Sequence, residues 1–315
     1  MKIGRIIPLI VLCGILFFAT ISFSSLEFFL RAIPNDFSFK KYHLESSQDK
    51  IEILILGSSH TYVGLDPKLF SAPTYNLAYS SQTLDLDEKL FDQFKNQLPQ
   101  LKTVIIPISY FIYVLCLEDG SSAHKIKNYN IYYSIYSHTL DWKNQTEIFH
   151  QPLSTSLHRL EKYIEDPTNE IKVDRNGFIS KRYVKQDIDS IESAEHAVAN
   201  HSKNLKDTLT QNRIASNLKA LQSIITWCNA NDVKVILLTS PVMRFYIDRL
   251  NKVQYNHMKQ TTQQVVEQYP AVEWWNYMDS TRLFLPEDFQ NADHLSQKGA
   301  QKWSKLINTK LTVEK

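Results

Sequence analysis

A serine turn and a distant histidine are the residues of this sequence whose types could do chemistry together. Gly57, Ser58 and Ser59 directly follow a short apolar run, 51–56, which is typical of a buried parallel strand. A hydroxyl at such a turn stands at the carboxyl edge of the sheet, where ligands of doubly wound folds bind. The glycine permits a tight turn and the close approach of a substrate. Taken alone, such a turn is more commonly explained by a serine that caps a helix.

His294 lies between a polar loop, 287–293, and the last predicted helix. A histidine there can reach the edge of the first strand and act as general base toward a serine hydroxyl. An acidic neighbour would hold its tautomer and stabilise its imidazolium form. The chain has 10 histidines, and we interpret the others as ordinary capping or surface residues. The serine and His294 together predict a nucleophile activated by a general base.

Strands and helices must bring these residues together. Short apolar runs predict strands at 51–56, 103–108, 233–239 and 272–275. Apolar spacing of three or four predicts helices at 84–98, 212–229, 246–268 and 296–311. Alternating apolar strands and helices indicate an α/β fold with a doubly wound, mainly parallel sheet. Right-handed crossovers then place the carboxyl ends of the strands along one edge.

The N-terminal segment indicates the compartment. Lys2 and Arg5 precede a charge-free stretch, 6–23, which is just long enough to cross a bilayer core of roughly 30 Å. Positive charge before this stretch favours a cytoplasmic N-terminus and an extracytoplasmic body. A cleaved signal peptide is the alternative, but no good cleavage site is evident. We therefore predict a single-pass signal anchor at 1–25 and a linker at 26–49.

The remaining residues, 50–315, are predicted to form the α/β domain. A polar, tyrosine-rich stretch at about 118–204 interrupts the alternation of strands and helices, and it contains a turn signal at 174–177. We interpret it as an insertion between the second and third predicted strands, in the form of a helical cap. Its aromatic residues favour local packing over a platform for substrate.

Charge and cysteine content argue against several functions. The chain has 35 Lys and Arg against 33 Asp and Glu, and the two cations before the anchor account for the excess. The exported part is therefore neutral and lacks the basic stripe of a nucleic-acid-binding protein. Outside the anchor, Cys116 and Cys228 allow at most one disulfide and do not form a metal site.

Two weaker patterns complete the survey. His196 and His201 are an imperfect helical ligand pair without an evident third ligand, so we predict no metal and no cofactor. Lys40 and Lys41 could contact lipid head groups, although two lysines are a minimal signal.

Taken together, these features resemble the SGNH/GDSL-like hydrolase superfamily. The resemblance rests on the residues of three segments, 56–62, 75–82 and 288–300, and it covers roughly 50–110 and 210–312. It is closer to the membrane-anchored branch that includes the teichoic-acid D-alanylation and alginate O-acetylation proteins. It implies a flavodoxin-like three-layer sandwich, with Ser59 as the nucleophile and His294 as the base. The backbone N–H of Ser59 would contribute to the oxyanion hole.

The sequence departs from the family pattern at the acidic residue that orients the histidine. The family usually places an orienting aspartate three residues before the histidine, where this chain has Asn291. An amide can orient an imidazole but cannot stabilise its charged form. Asp288 or Asp293 could substitute, although Asp293 is adjacent to the base and is expected to point elsewhere. A Ser–His dyad is the other alternative. The oxyanion positions also depart from the family, and the candidates are Gly57, Asn76, Ala78 and Ser109.

The resemblance implies a membrane-anchored, extracytoplasmic serine esterase or O-acyltransferase. Its substrate would be an ester of an envelope polysaccharide, and the reaction would pass through an acyl-Ser59 intermediate. Expected partners are that substrate and the membrane, and a membrane-bound acyltransferase is a candidate partner. The alternative is a catalytically impaired binding or assembly protein of envelope polysaccharide biosynthesis, which Asn291 would favour.

Overall fold

The computed structural model describes residues 6–136, 141–179 and 190–313. The chain forms two compact units, one of residues 1–39 and 124–171 and one of residues 40–123 and 172–315. We refer to them as the first and the second unit. The strands are β1 (Ile53–Ile55), β2 (Thr74–Asn76), β3 (Thr103–Pro107), β4 (Lys234–Thr239) and β5 (Val272–Asn276). The helices before β4 are α1 (Ile6–Ala32), α2 (Asp36–Ser47), α3 (Ser59–Gly64), α4 (Leu84–Phe94), α5 (Ile126–Tyr133), α6 (Leu153–Glu165), α7 (Ser190–His201) and α8 (Thr208–Ala230). Those after it are α9 (Arg244–Arg249), α10 (Lys252–Gln268) and α11 (Gln297–Val313).

The five strands of the second unit form one sheet with the order β2-β1-β3-β4-β5, and every neighbouring pair is parallel. The predicted α/β fold with a parallel sheet is confirmed. Strands are found in all four apolar runs. Strand β2 was not predicted, because its three residues are too short to show a pattern.

The sheet is buried on both faces, as its apolar strands require. Ile53 and Ile55 of β1 belong to a core cluster that also contains Trp303 of α11. Successive side chains of a strand point to opposite faces, so the fully buried Leu54 belongs to the other face. Helices α4 and α8 pack on each other through the rings of Phe91 and Trp227, which lie 5.3 Å apart.

The single helix predicted at 246–268 is two helices in the structure, α9 and α10. The Asn251 side chain accepts hydrogen bonds from the backbone N–H groups of Val253 (3.0 Å) and Gln254 (3.2 Å). This is an N-cap, which begins a new helix and ends the preceding one. Apolar spacing continues across the break, so periodicity alone did not reveal it.

Helical structure occupies most of the segment predicted as a linker, 26–49. Helix α1 continues to Ala32, and α2 follows after Pro34 and Asn35. Proline cannot continue a helix without loss of a hydrogen bond, and the Asn35 side chain then accepts from the N–H groups of Phe37 and Ser38 to start α2. Residues 8–32 of α1 are long and apolar enough to cross a membrane, and their most apolar 18-residue stretch has a mean hydropathy of 2.3.

The predicted insertion, 118–204, is divided between the two units. Residues 124–171 belong to the first unit, where Tyr129 and Tyr133 are buried and their rings lie 5.2 and 6.4 Å from that of Phe37. The buried Glu147 carboxylate accepts from Lys127 and Arg159, both at 2.7 Å. Burial opposes ionisation of Glu147, but the two cations hold its pKa below the usual range.

The turn at 174–177 completes the edge of the sheet in the second unit. The Asn176 carbonyl accepts from the N–H of Asn76 (2.9 Å), so this turn covers the exposed edge of β2. Gly177 has a φ of +82°, and a Cβ on it would lie 2.0 Å from the Asn76 carbonyl oxygen. The positive φ and the close carbonyl oxygen both exclude a side chain, so this position requires glycine.

We predict that Gly177→Ala lowers the free energy of unfolding by roughly 1–3 kcal/mol or more, because it combines backbone strain with a backbone clash. Gly120→Ala is the matched control, since the nearest atom to its Cβ would be 3.9 Å away. Denaturant unfolding monitored by circular dichroism would measure both. Equal stability of the two variants would contradict this account of the turn.

Candidate active site

The turn after β1 brings Ser59 to the carboxyl edge of the sheet. Gly57 has a φ of +110°, and a Cβ on it would lie 1.9 Å from Cγ of Pro107 at the end of β3. A glycine is therefore needed for the chain to turn beside the neighbouring strand. Helix α3 begins at Ser59, and the Thr61 hydroxyl donates to the Leu56 carbonyl (2.8 Å). These contacts fix the start of the helix against the end of the strand.

A tight loop before α11 carries His294. Phe289 and Leu295 form an antiparallel bridge at its base, and the Gln290 N–H donates to the His294 carbonyl at 2.8 Å. The Asn291 side-chain oxygen accepts from the N–H groups of Asp293 (3.2 Å) and His294 (2.8 Å). This side chain therefore closes the turn from inside, in the manner of an Asx turn.

Ser59, His294 and Asp293 form a continuous hydrogen-bonded chain. Ser59 Oγ lies 2.7 Å from His294 Nε2, and Asp293 Oδ1 lies 2.9 Å from His294 Nδ1. The Asn291 side-chain oxygen is 3.0 Å from the same Nδ1. Since both partners of Nδ1 are acceptors, we infer that Nδ1 carries the proton. His294 Nε2 is then free to accept from the Ser59 hydroxyl.

The expectation that Asp293 points away from His294 is corrected by this geometry. Adjacent side chains generally diverge, but the Asn291-capped turn folds the backbone so that residues 293 and 294 face each other. Asp293 is 2% exposed. Burial alone would raise its pKa, but His294 and His60 hold the pKa of Asp293 well below the usual range. The buried carboxylate is therefore ionised at neutral pH.

His60, which we had interpreted as an ordinary histidine, contacts the second oxygen of this carboxylate. Its Nε2 lies 3.4 Å from Asp293 Oδ2, and its Nδ1 lies 2.7 Å from Ser109 Oγ. Burial lowers the pKa of His60, so the ring is neutral at pH 7. It then donates from Nε2 to Asp293 and accepts at Nδ1 from the Ser109 hydroxyl. Its position directly after the predicted nucleophile was the only available signal in the sequence.

His201, at the end of α7, is a third histidine near Asp293. Its Nδ1 lies 3.9 Å from Asp293 Oδ2 and has no hydrogen-bond partner among the described residues. The Phe111 ring lies between the two additional histidines, 5.5 Å from that of His60 and 4.1 Å from that of His201. Burial lowers the pKa of His201 to about 4. His196, the other half of the weak ligand pair, bonds instead to Asn200.

Asp288, the other candidate acid, has different partners. Its carboxylate accepts from Lys302 Nζ (2.9 Å) and from the Leu285 N–H (3.0 Å). Its carbonyl accepts from the N–H of Ser296 (2.8 Å), at the start of α11. Asp288 therefore fastens the loop to the last helix.

The predicted oxyanion residues have partners inside the protein. The Ala78 N–H donates to the side-chain oxygen of Asn76 (3.0 Å), whose amide donates to the carbonyls of Thr61 and Leu65. These groups brace the turn after β1. Ser109, as noted, bonds to His60. The structure therefore assigns supporting contacts to these residues.

The fourth candidate, the N–H of Gly57, is also occupied. It donates to Asp87 Oδ1 at 2.7 Å, and the Gln82 amide donates to the same oxygen. Burial raises the pKa of Asp87 to about 7. A carboxyl group thus holds the turn that precedes Ser59.

Lys40, considered above for lipid contact, is fully buried. Its ammonium donates to the Ala78 carbonyl and lies 4.8 and 4.4 Å from the ring centroids of Tyr62 and Tyr79. Cation–π contacts of this kind compensate a desolvated ammonium. Lys40 is therefore not available for lipid head groups, and it supports the same turn.

A cavity of about 460 Å³ opens beside Ser59. Its wall combines polar and apolar residues, and the apolar ones include Phe111, Val114, Leu115, Leu117 and Ala199. The hydroxyl and amide groups that line it belong to Ser58, Ser59, Ser81, Gln82, Thr83, Ser121, Ser122 and Asn200. Ser58 Oγ is buried and has no hydrogen-bond partner among the described residues. The cavity has the size of an ordinary small-molecule site.

One group among the described residues could hold a metal ion, namely His60, Asp293 and His294, whose ligand atoms lie within 4.8 Å of one another. The same atoms bond to each other and to Ser59, so an ion there would displace the hydrogen-bonded chain.

Cys116 and Cys228 are both buried free thiols. Burial raises the pKa of the Cys116 thiol to about 11 and that of Cys228 to about 12.

We predict that acidification from pH 7 to pH 4 destabilises the protein partly through His201. Its folded-state pKa of about 4 lies below the ordinary value of 6.5, so the unfolded state binds the proton first and stability falls as the pH drops through this window. The contribution is on the order of 3 kcal/mol.

His201→Gln should therefore show a shallower loss of stability than the wild type between these pH values. Denaturant midpoints of the full chain in detergent would provide the measurement, with His196→Gln on the same helix as control. Parallel pH profiles of wild type and His201→Gln would show that His201 does not titrate as stated.

Among the comparisons with known proteins, similar chains were found only among solved structures. No family model matches the chain, and no curated protein does. Among solved structures, the chain is similar at a TM-score of 0.42 to a putative acylhydrolase from Bacteroides fragilis NCTC 9343 (10% identity, 88% of this chain and 95% of that one). It is similar at the same score to a putative platelet activating factor from Streptococcus pneumonia (15% identity, 93% and 99%). A GDSL-like lipase from Bacteroides thetaiotaomicron VPI-5482 also scores 0.42 (12% identity, 89% and 100%).

Proposed function

We propose that this chain is a membrane-anchored serine esterase or O-acyltransferase with a Ser59–His294–Asp293 triad. The observation that carries the proposal is the chain of two short hydrogen bonds, Ser59 Oγ to His294 Nε2 at 2.7 Å and His294 Nδ1 to Asp293 Oδ1 at 2.9 Å. A nucleophile, a base and an orienting acid within hydrogen-bond distance are the geometric requirements for activating a hydroxyl. The amide at position 291 therefore does not deprive the site of its acid.

In the reaction, Ser59 Oγ attacks the carbonyl carbon of an ester while its proton moves to His294 Nε2. The ionised Asp293 stabilises the imidazolium that forms. Collapse of the tetrahedral intermediate expels the alcohol, which takes the proton from Nε2, and leaves an acyl-Ser59 ester. Water or a second hydroxyl then attacks this ester with His294 again as base. Water makes the protein an esterase, and a sugar hydroxyl makes it an O-acyltransferase.

The oxyanion would be stabilised at the start of α3. The first N–H groups of a helix have no carbonyl partner within the helix, and Ser59 provides one of them. The Ser58 hydroxyl lines the same cavity and lacks a hydrogen-bond partner among the described residues, so it is a second candidate donor. Donors of this kind matter by their position at the developing charge.

The lining of the cavity favours a polar substrate. Eight of the residues that line the cavity carry hydroxyl or amide side chains, and such groups bind hydroxylated molecules through hydrogen bonds. The apolar helix α1 would tether the site at a membrane surface and raise its effective concentration there. Both features support an ester of an envelope polysaccharide, acted on outside the cytoplasm.

We predict that the full chain is labelled by a fluorophosphonate, which reacts with activated serines. Ser59→Ala and His294→Ala should abolish labelling, because one removes the nucleophile and the other its base. Ser240→Ala is the matched control: Ser240 also follows a strand, but it is buried, and its hydroxyl has no hydrogen-bond partner among the described residues. Gel fluorescence would report the result. Absence of labelling in folded wild type would contradict the proposed enzyme.

The two residues near Nδ1 of His294 are expected to behave differently. Asp293→Asn should slow ester hydrolysis by up to ~10⁴-fold, as amide replacement of a triad acid does. Asn291→Asp should not accelerate it, because a second carboxylate beside Asp293 would raise the pKa of both acids and favour a shared proton. Initial rates with a p-nitrophenyl ester would test both. A gain of activity in Asn291→Asp would assign the role of the acid to position 291 instead.

A further inference from the structure

The uncharged part of α1 ends where the helix is hydrogen-bonded to the rest of the first unit. We call this position the charge boundary of α1. Residues 6–26 of α1 carry no charge, and at ~1.5 Å per residue they span about 30 Å, the thickness of a bilayer core. Glu27 is the first charged residue of α1. Its carboxylate accepts from the N–H groups of Glu147 (3.0 Å) and Ile148 (2.9 Å), and from Arg31 (2.6 Å). Arg31 also donates to the Gln145 carbonyl at 2.7 Å.

These bonds place two aromatic residues beside the last apolar turns of α1. The Phe149 ring lies 5.8 Å from that of Phe23 on α1 and 5.1 Å from that of Trp142. Both Trp142 and Phe149 are exposed, and Trp142 is 59% accessible. Tryptophan is enriched where a membrane-spanning helix meets the interface, because its ring is apolar and its N–H is polar.

Helix α6 extends this apolar surface. Leu160 and Tyr163 pack against a small core of Leu30, Ile33 and Ile148. On the flank beside that packed face, three apolar side chains spaced along the helix are exposed, namely Leu153, Leu157 and Ile164. The face of the helix opposite the packed one is polar and carries His158, Glu161, Lys162 and Glu165.

The backbone that displays this surface is held firmly. Arg159 of α6 donates to Glu147 (2.7 Å) and to Glu170 (2.7 and 2.9 Å), and Lys127 completes the cluster around Glu147. The apolar side chains therefore sit on a rigid support next to α1. Several exposed apolar side chains on one fixed support indicate an interaction site.

We infer that Trp142, Phe149, Leu153, Leu157 and Ile164 form a collar that lies in the lipid interface where α1 leaves the bilayer. Lipid is the occupant because the surface continues the apolar face of α1 at its charge boundary and includes an interfacial tryptophan. The collar thereby fixes the depth and tilt of the first unit in the membrane. This inference depends on insertion of α1 and not on the chemistry of Ser59.

The test uses nitroxide labels on the full chain, reconstituted in phosphatidylcholine vesicles that contain no other protein. Cys116 and Cys228 are buried, and Cys13 is exposed on α1. Leu157→Cys is therefore introduced together with Cys13→Ser, and Leu283→Cys in the same background is the matched control. Leu157 and Leu283 are similarly exposed, at 53% and 48%, but Leu283 belongs to the second unit. Collision rates with oxygen, which partitions into lipid, and with a water-soluble nickel complex are measured by electron paramagnetic resonance.

The label introduced by Leu157→Cys should collide more with oxygen than with nickel, and the label introduced by Leu283→Cys should do the reverse. The label introduced by Ile164→Cys should also collide more with oxygen than with nickel. Agreement between the two sites would show that the result does not come from a local disturbance caused by Leu157→Cys. Equal nickel exposure for Leu157→Cys and Leu283→Cys would overturn the collar and leave the surface to a protein partner. Exposure of a label on native Cys13 to nickel would show that α1 is not inserted in the bilayer. It would overturn the collar for that reason, because the collar depends on insertion of α1. Neither result would affect fluorophosphonate labelling of Ser59.

Discussion

A single buried negative charge organises the candidate active site. Asp293 is almost inaccessible to water, and an isolated carboxylate in such a place would take up a proton. It remains ionised because His294 and His60 each contact one of its oxygens. The hydrogen bonds outward from these rings, to Ser59 and to Ser109, then follow from the tautomer that the carboxylate imposes on each histidine. One charge thus orients side chains from three segments that are distant in the sequence.

The parallel sheet is what makes this convergence achievable. Ser59 and His60 follow β1, and Ser109 follows the neighbouring β3, so both segments end at the same edge. The loop with Asp293 comes from the other end of the sequence and is fastened by Asp288 to α11 and by the Ala292 carbonyl to the N–H of Met243. Small contacts behind the turn, from Asp87 and Lys40, support the same edge. The side chains that perform the proposed chemistry therefore rest on elements that are themselves fixed.

Much of this arrangement could be predicted from the sequence, and the exceptions have physical reasons. The strands were visible as apolar runs, and Ser59 and His294 were recognisable from their positions after a strand and before the last helix. Asp293 was misjudged because the direction of a side chain in a loop depends on its hydrogen bonds, here those accepted by Asn291. His60 and Lys40 were misjudged because a polar residue gives no sign of burial until its partners are known. Helix α2 was missed because it has no apolar periodicity, and its start depends on the cap at Asn35.

The two units stabilise a buried carboxylate in different ways, and the difference bears on what each can do. Glu147 is paired with Lys127 and Arg159. This cluster holds helices and loops in place. Asp293 is surrounded by imidazoles instead, and burial keeps His60 and His201 neutral. Its charge is therefore not cancelled by a permanent cation, and it is available to stabilise a proton that arrives on His294 from Ser59. A carboxylate paired with arginine would be as stable, but it would have little remaining attraction for that proton.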